Sequence, residues 1–165
     1  MWFFKRKKDT YEYEGITFYD QFGNNYQIQS LAQCTGVVNG KEVCTFEFTL
    51  TSILDVDNHI LKIFHFAFDK SKVEDQNVDG EECLREIAKL ISQQNTNISI
   101  IRFDLSRTTS EIKKSNKKLQ DLADAREVLL KKVKTKNVKS THVHPTCHEV
   151  VGDWHKADWF IPKSR

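Results

Sequence analysis

Imidazole and thiolate are the usual ligands of a transition metal, and this chain gathers them near one end. THVHPTCHEVVGDWHKADWF, residues 141–160, holds four of the six histidines and one of the four cysteines. His142, His144, Cys147 and His148 lie within seven residues. In an extended segment His142 and His144 project to one side. Pro145 favours a turn that brings Cys147 or His148 back toward them. His155, His65 and Cys83 are further candidate ligands. The spacing HxHxxCH is not that of a zinc finger. Two or three ligands from this segment are therefore expected, His142, His144 and His148 first, with the rest supplied from elsewhere. Zinc or another transition metal is the cofactor such a site implies; nothing else in the chain implies one.

Catalysis asks for more. A Cys–His pair needs the base within reach of the thiol, and Cys147 and His148, adjacent on an extended chain, point apart. Asp55 and Asp57 beside His59 read as solvated turn acids. Glu12, Glu14 and Glu47 read as acids on wet strand faces. The turn DVDN lacks the glycine and terminal glutamate of a calcium loop. No Walker A, GxGxxG, GxSxG or HExxH sequence occurs. No catalytic residue is assigned.

Other residues suit binding. Lys113, Lys114, Lys117 and Lys118 form one basic cluster; Lys131, Lys132, Lys134, Lys136 and Lys139 form a second. Lysines can neutralise phosphates, but Arg107 and Arg126 are the only arginines nearby, and base reading prefers arginine. Nucleic acid, if bound, is bound with little sequence preference. The other use is an acidic protein surface. At the N-terminus Trp2, Phe3 and Phe4 precede Lys5, Arg6, Lys7 and Lys8. That pattern suits peripheral contact with an anionic membrane, each base contributing about 1 kcal/mol. It equally suits an arm that packs Trp2 and Phe4 on the core. The charges follow the apolar residues, so this is not a signal peptide, and no apolar run reaches transmembrane length.

The elements that must hold these groups follow from period and turn chemistry. YEYEGITFYDQFGNNYQIQSL reads as two strands joined at Gly23-Asn24-Asn25. Asn39-Gly40 is a hairpin signal. A two-residue turn there pairs Cys34 with Thr45 and Thr35 with Cys44, with the sulfurs on opposite faces. After it, Cys44, Phe46, Phe48 and Leu50 alternate with polar residues. HILKIFHFAFD gives a further strand with Phe64, Phe66 and Phe68 on one face. Leu84, Ile87, Leu90 and Ile91 then make a helical stripe. NISIIRFD is a fifth strand, placed by a helical crossover to pair parallel to a meander strand. Thr108 and Glu111 fit the capping box of a long helix. Its stripe is Ile112, Leu119, Leu122, Leu129 and Val133, interrupted by Ser115 and Arg126. Residues 132–144 read as a polar connector. Val150, Trp154, Ala157 and Ile161 share one helical face, weakened by Gly152.

The expected fold is α+β: a largely antiparallel meander sheet of about five strands with two helices on one face, order ββββαβα, and an aromatic C-terminal segment. Residues 1–8 form an arm, 9–140 one domain ending in the long basic helix, and 141–165 a His/Trp-rich segment docked on it. Residues 9–104 carry 7 bases and 16 acids, and residues 105–140 carry 11 bases and 4 acids. That asymmetry favours a small non-enzymatic interaction or regulatory protein: an inhibitor, an immunity-type partner or a self-associating subunit. Its partner is a protein or a second copy. A metal-binding protein or metal-dependent hydrolase built on the His/Cys cluster is the alternative, and a sequence-tolerant nucleic-acid binder the third reading. Unpaired cysteine spacing points to a reducing, cytoplasmic location, with the inner face of a membrane as the variant the N-terminal arm allows.

Overall fold

The computed structural model describes residues 15–28, 33–48, 60–73, 78–94, 97–108, 116–144 and 147–160, with side chains throughout except at 73, 107–108, 116–118 and 142–144. The N-terminal arm 1–8, Asp55, Asp57, His59, Ile112, Lys113, Lys114 and Ile161 lie outside the described residues. The elements are β1 (Thr17–Tyr19), β2 (Gln33–Val38), β3 (Lys41–Phe48), β4 (Ile60–Phe68), α1 (Gly80–Gln94), β5 (Ile100–Thr108), α2 (Asn116–Lys132), β6 (Lys136–His144) and β7 (Cys147–His155). One sheet of seven strands runs β1-β2-β3-β4-β5-β7-β6. Among the described strands only β4 and β5 pair in parallel. The fold is α+β with a mostly antiparallel sheet, as expected. It has two more strands than expected and ends ββ rather than in a helix.

Local chemistry explains most of this. Asn39 and Gly40 take φ of 51° and 80° and close the β2–β3 hairpin, the left-handed pair a tight hairpin needs. Asp79 caps α1: its Oδ1 accepts from the Glu82 N–H at 3.1 Å. Glu81 and Glu82 then sit in the first turn, where negative charge suits the dipole. Cys83, Leu84, Ile87, Ala88 and Ile91 are buried beneath α1. At its other end the Gln94 amide accepts from Ile28 N–H and donates to Tyr26 O, tying the loop after β1 to the helix.

Two bulges correct the expected registers. One between Gly36 and Val37 sets Cys44 opposite Gly36 and Cys34 opposite Phe46. Both thiols therefore face the core rather than opposite sides. The other shifts β3 against β4, pairing Glu47 with His65 and Phe48 with Ile63. Phe64 is the extra residue and is 38% exposed, while Ile63 and Phe66 are buried. Phe46 and Phe66 stack with centroids 4.7 Å apart.

The C-terminal half departs furthest. Thr108 is the last residue of β5 and α2 is described from Asn116; Glu111, the partner in the expected capping box, lies outside the described residues. Leu119, Ala123, Leu130 and Val133 bury its inner side. Arg126, which breaks the apolar stripe, lies 5.1 Å over the Phe66 ring and donates to Phe66 O. The supposed connector is β6, and the supposed helical stripe is β7, inserted between β5 and β6. Along β7, His148, Val150, Gly152 and Trp154 are buried and the residues between them half-buried. Trp154 and Trp159 are both fully buried, and Trp159 Nε1 donates to Trp154 O at 2.9 Å. Each tryptophan takes roughly 200 Å² out of water, about 5 kcal/mol of transfer free energy. Arg85 adds a bond to Trp159 O at 3.0 Å and pairs with buried Glu81 at 3.1 Å, so the last turn is tied to α1. No helix among the described residues is long and apolar enough to cross a membrane.

Candidate functional site

The β6–β7 hairpin carries the histidines. Its register pairs His142 with His148 and His144 with Cys147. Cys147 is half-buried on the face away from the helices, and His148 is buried under α2. Neighbours on a strand point to opposite faces, so Cys147 and His148 form no nucleophile–base pair. Leu105, Leu119, Leu122, Arg126 and Val150 surround His148 in a cleft with about 10 Å³ of free space. That is room for one water at most. Among the described residues no group of three His, Cys, Asp or Glu side chains is placed to hold a metal. The side chains of His142 and His144 lie outside the described residues. His155 ends β7 across from Ile100 and His65 faces Glu47, each on its own strand row.

Cys83 joins the other core thiols rather than the histidines. Cys34, Cys44 and Cys83 are buried on β2, β3 and α1 and are free. A hydrogen bond with Cys44, then burial, push the Cys83 thiol far up. Burial first, and Cys44 nearby second, do the same to Cys34. Neither Cys34 nor Cys83 is a thiolate nucleophile near neutral pH.

The lysines divide. Lys117 and Lys118 stand in the first turn of α2 and Lys131 and Lys132 in its last, roughly 20 Å apart at 1.5 Å per residue. Asp121, Asp124 and Glu127 lie between them. There is thus no continuous basic helix face. The second cluster, however, becomes a corner. Helix α2 closes with Lys134 N–H on Lys131 O and Thr135 N–H on Leu130 O, a paired-bond helix end with Lys134 in the left-handed position. Lys134 has φ of 66° and Asn137 of 57°. Between them the chain turns from α2 into β6. Lys131, Lys132, Lys134, Lys136 and Lys139 are all exposed there. Lys131 pairs with Glu127 at 2.9 Å, and Lys132 and Lys136 reach Glu81 and Asp158 only at 3.8 and 3.9 Å. Lys134 and Lys139 pair with no carboxylate among the described residues.

The sheet face opposite the helices holds a further set of charges. Arg102 donates to Asp153 at 2.7 and 3.1 Å. Lys62 lies 3.3 Å from Asp104. A hydrogen bond with Asp104, then partial burial, raise the Glu149 carboxyl above the usual range. Their signal in the sequence is period-two alternation in IRFDLS and HEVVGDW, which the helical spacing of Val150, Trp154 and Ala157 masks in the latter. These charges answer one another across strands and leave little free field. A separate open groove of about 420 Å³ lies between β1 and α1, floored by Ile16, Phe18 and Tyr26 and rimmed by Glu86, Lys89 and Gln93. Its rim charges are of opposite sign, and no His or Cys is among its lining residues.

No protein-family model matches the chain, and no curated protein matches it.

Proposed function

We propose that this chain is a small non-enzymatic interaction protein that engages an acidic protein surface through the basic corner where α2 runs into β6. The observation that carries the reading is the grouping of five exposed lysines over residues 131–139, two without a carboxylate partner among the described residues. No other stretch of nine described residues carries five lysines and no acid. Unmatched charge of one sign steers partners of the other sign and sets which are rejected. The corner contains lysines alone, without arginine forks for bases or aromatic rings for stacking, which favours a protein partner over nucleic acid.

The test is an anisotropy titration of a labelled glutamate-rich peptide and, separately, duplex RNA. Wild type is compared with a variant carrying Ser at Lys134, Lys136 and Lys139. Peptide binding at low salt, weakened about tenfold or more by the substitutions, is expected. RNA binding tighter than peptide binding, with a steep salt slope lost in the variant, would replace the acidic-protein reading with a phosphate-binding one.

A further inference from the structure

Strand β6 is the last strand of the sheet, and among the described residues its only strand neighbour is β7. Its nine residues contrast with the three of β1 at the other edge. An unpaired edge offers a row of N–H and C=O groups to any extended chain. What the edge admits is decided by the side chains beside it. Lys136 lies opposite Asp153, Lys139 opposite Val151, and Thr141 opposite Glu149, so all three occupy the sheet face away from the helices. A strand added along β6 would bring its own residues on that face within cross-strand distance of Lys136 and Lys139.

Resting on the reading of the basic corner as the binding surface, we infer that the acidic partner is bound as an extended segment added to the edge of β6, as an eighth strand. Its side chains on the open sheet face are carboxylates at every second position. Backbone hydrogen bonds supply affinity, and the lysines supply selection by charge. Pairing of β6 with β6 of a second copy is opposed in any register centred on residues 136–139, because it sets lysines beside lysines.

The experiment uses the full chain and three labelled peptides of equal charge. One alternates Glu with Val, the second is the same sequence with N-methyl groups on alternate backbone nitrogens, and the third collects its Glu residues in one block. Each is titrated against wild type and against K136E/K139E, with light scattering on both proteins. Expected is binding of the alternating peptide, with about tenfold or greater loss on N-methylation of the edge-facing amides and again in K136E/K139E. Equal binding of all three peptides, still lost in K136E/K139E, would overturn strand addition and leave the acidic-surface reading intact. Failure of every peptide to bind would overturn both. Dimers of wild type that dissociate in K136E/K139E would identify a second copy as the occupant and overturn the inference. Thermal unfolding of K136E/K139E within a few degrees of wild type shows that the variant is folded, since both side chains are exposed.

Discussion

Replacing Gly152 with alanine tests the strand β7 directly, because the sign of the effect depends on the architecture. In a helix, Ala is more favourable than Gly by about 1 kcal/mol, so G152A would stabilise the helical segment that the sequence pattern suggests. In β7 the glycine faces the core. A Cβ there would lie 2.6 Å from Thr135 Cγ2 and 3.3 Å from Val138 Cγ2. Carbon–carbon contacts settle near 3.5–4.0 Å, so the new methyl is roughly 1 Å too close to Thr135. Thr135 cannot move aside freely: its N–H is bonded to Leu130 O at the end of α2. Overpacking of this kind costs about 1–3 kcal/mol. The lost freedom of the unfolded chain offsets roughly 0.4–1 kcal/mol of that.

The net expectation is a loss of about 1–2 kcal/mol, or a fall in Tm of about 2–8 °C for a chain of this size. Thr135→Ser removes the offending methyl and keeps the hydroxyl, which has no hydrogen-bond partner among the described residues. T135S should therefore restore most of the stability that G152A removes, with a coupling energy of about 1 kcal/mol in a double-mutant cycle. Urea and thermal unfolding of the four proteins give the measurement. A G152A protein more stable than wild type, or effects of G152A and T135S that simply add, would refute the packing of β6 and α2 over Gly152.

Other expectations concern single groups. Lys134→Gly relieves a left-handed lysine and loses one charge at a helix C-terminus, so stability should rise by about 0.5–1 kcal/mol while acidic-peptide binding falls; urea unfolding beside anisotropy separates the two effects. One thiol, Cys147, should react quickly with an aromatic disulfide reagent in the native protein and all four in denaturant, since the others are buried. Fast reaction of three or four thiols in the native protein would show that β2, β3 and α1 are not packed around them. The Glu149 carboxyl binds its proton more tightly in the folded chain than in the unfolded one. Its contribution is thus fully present below the ordinary glutamate pKa and is lost as pH rises through the raised value. E149Q donates to Asp104 without a proton to lose, so it should flatten that acid-side dependence; carbon-detected titration of the Glu149 carboxyl measures the shift itself.

The sequence made the first half of the sheet readable because its signals are local. Asn39-Gly40 fixes a turn, the alternation through Phe46 and Phe48 fixes a face, and the stripe through Leu84, Ile87 and Ile91 fixes a helix. Bulges were not readable, since an extra residue such as Phe64 leaves no mark except a broken alternation. The C-terminal half misled for a physical reason. Val150, Trp154 and Ala157 satisfy a helical spacing, and Val150 with Trp154 also satisfies a spacing of two. Gly152 lies between them, and its lack of a side chain removes the residue that would have distinguished the periods. The site suffered the same way: the lysines were visible as a run, but their gathering at one corner needed the end of α2 and the start of β6 to be known.

The geometry of that corner follows from one inserted residue. Thr135 is buried and Lys136 exposed, so strict alternation would send Asn137 inward, Val138 outward and Lys139 inward. That places an amide and an ammonium against the core and a valine in water. Instead the register slips between Lys136 and Lys139, and Asn137 absorbs the slip with a φ of 57°. Val138 then packs on the core and Lys139 stands exposed beside Lys136 on the open sheet face. Burying an unpaired ammonium costs far more than a left-handed asparagine, which is among the residues that tolerate that conformation best. The bulge is therefore the lower-energy solution for this sequence. It also interrupts the edge at the position where the lysines repel a like-charged strand, and a second shift in register follows between His142 and His144, so regular pairing is confined to the stretch from Lys139 to His142. An incoming segment must bring negative charge to Lys139 and Lys136 and find its backbone partners beyond the bulge. Those two demands together exclude most extended chains that an unguarded edge would accept.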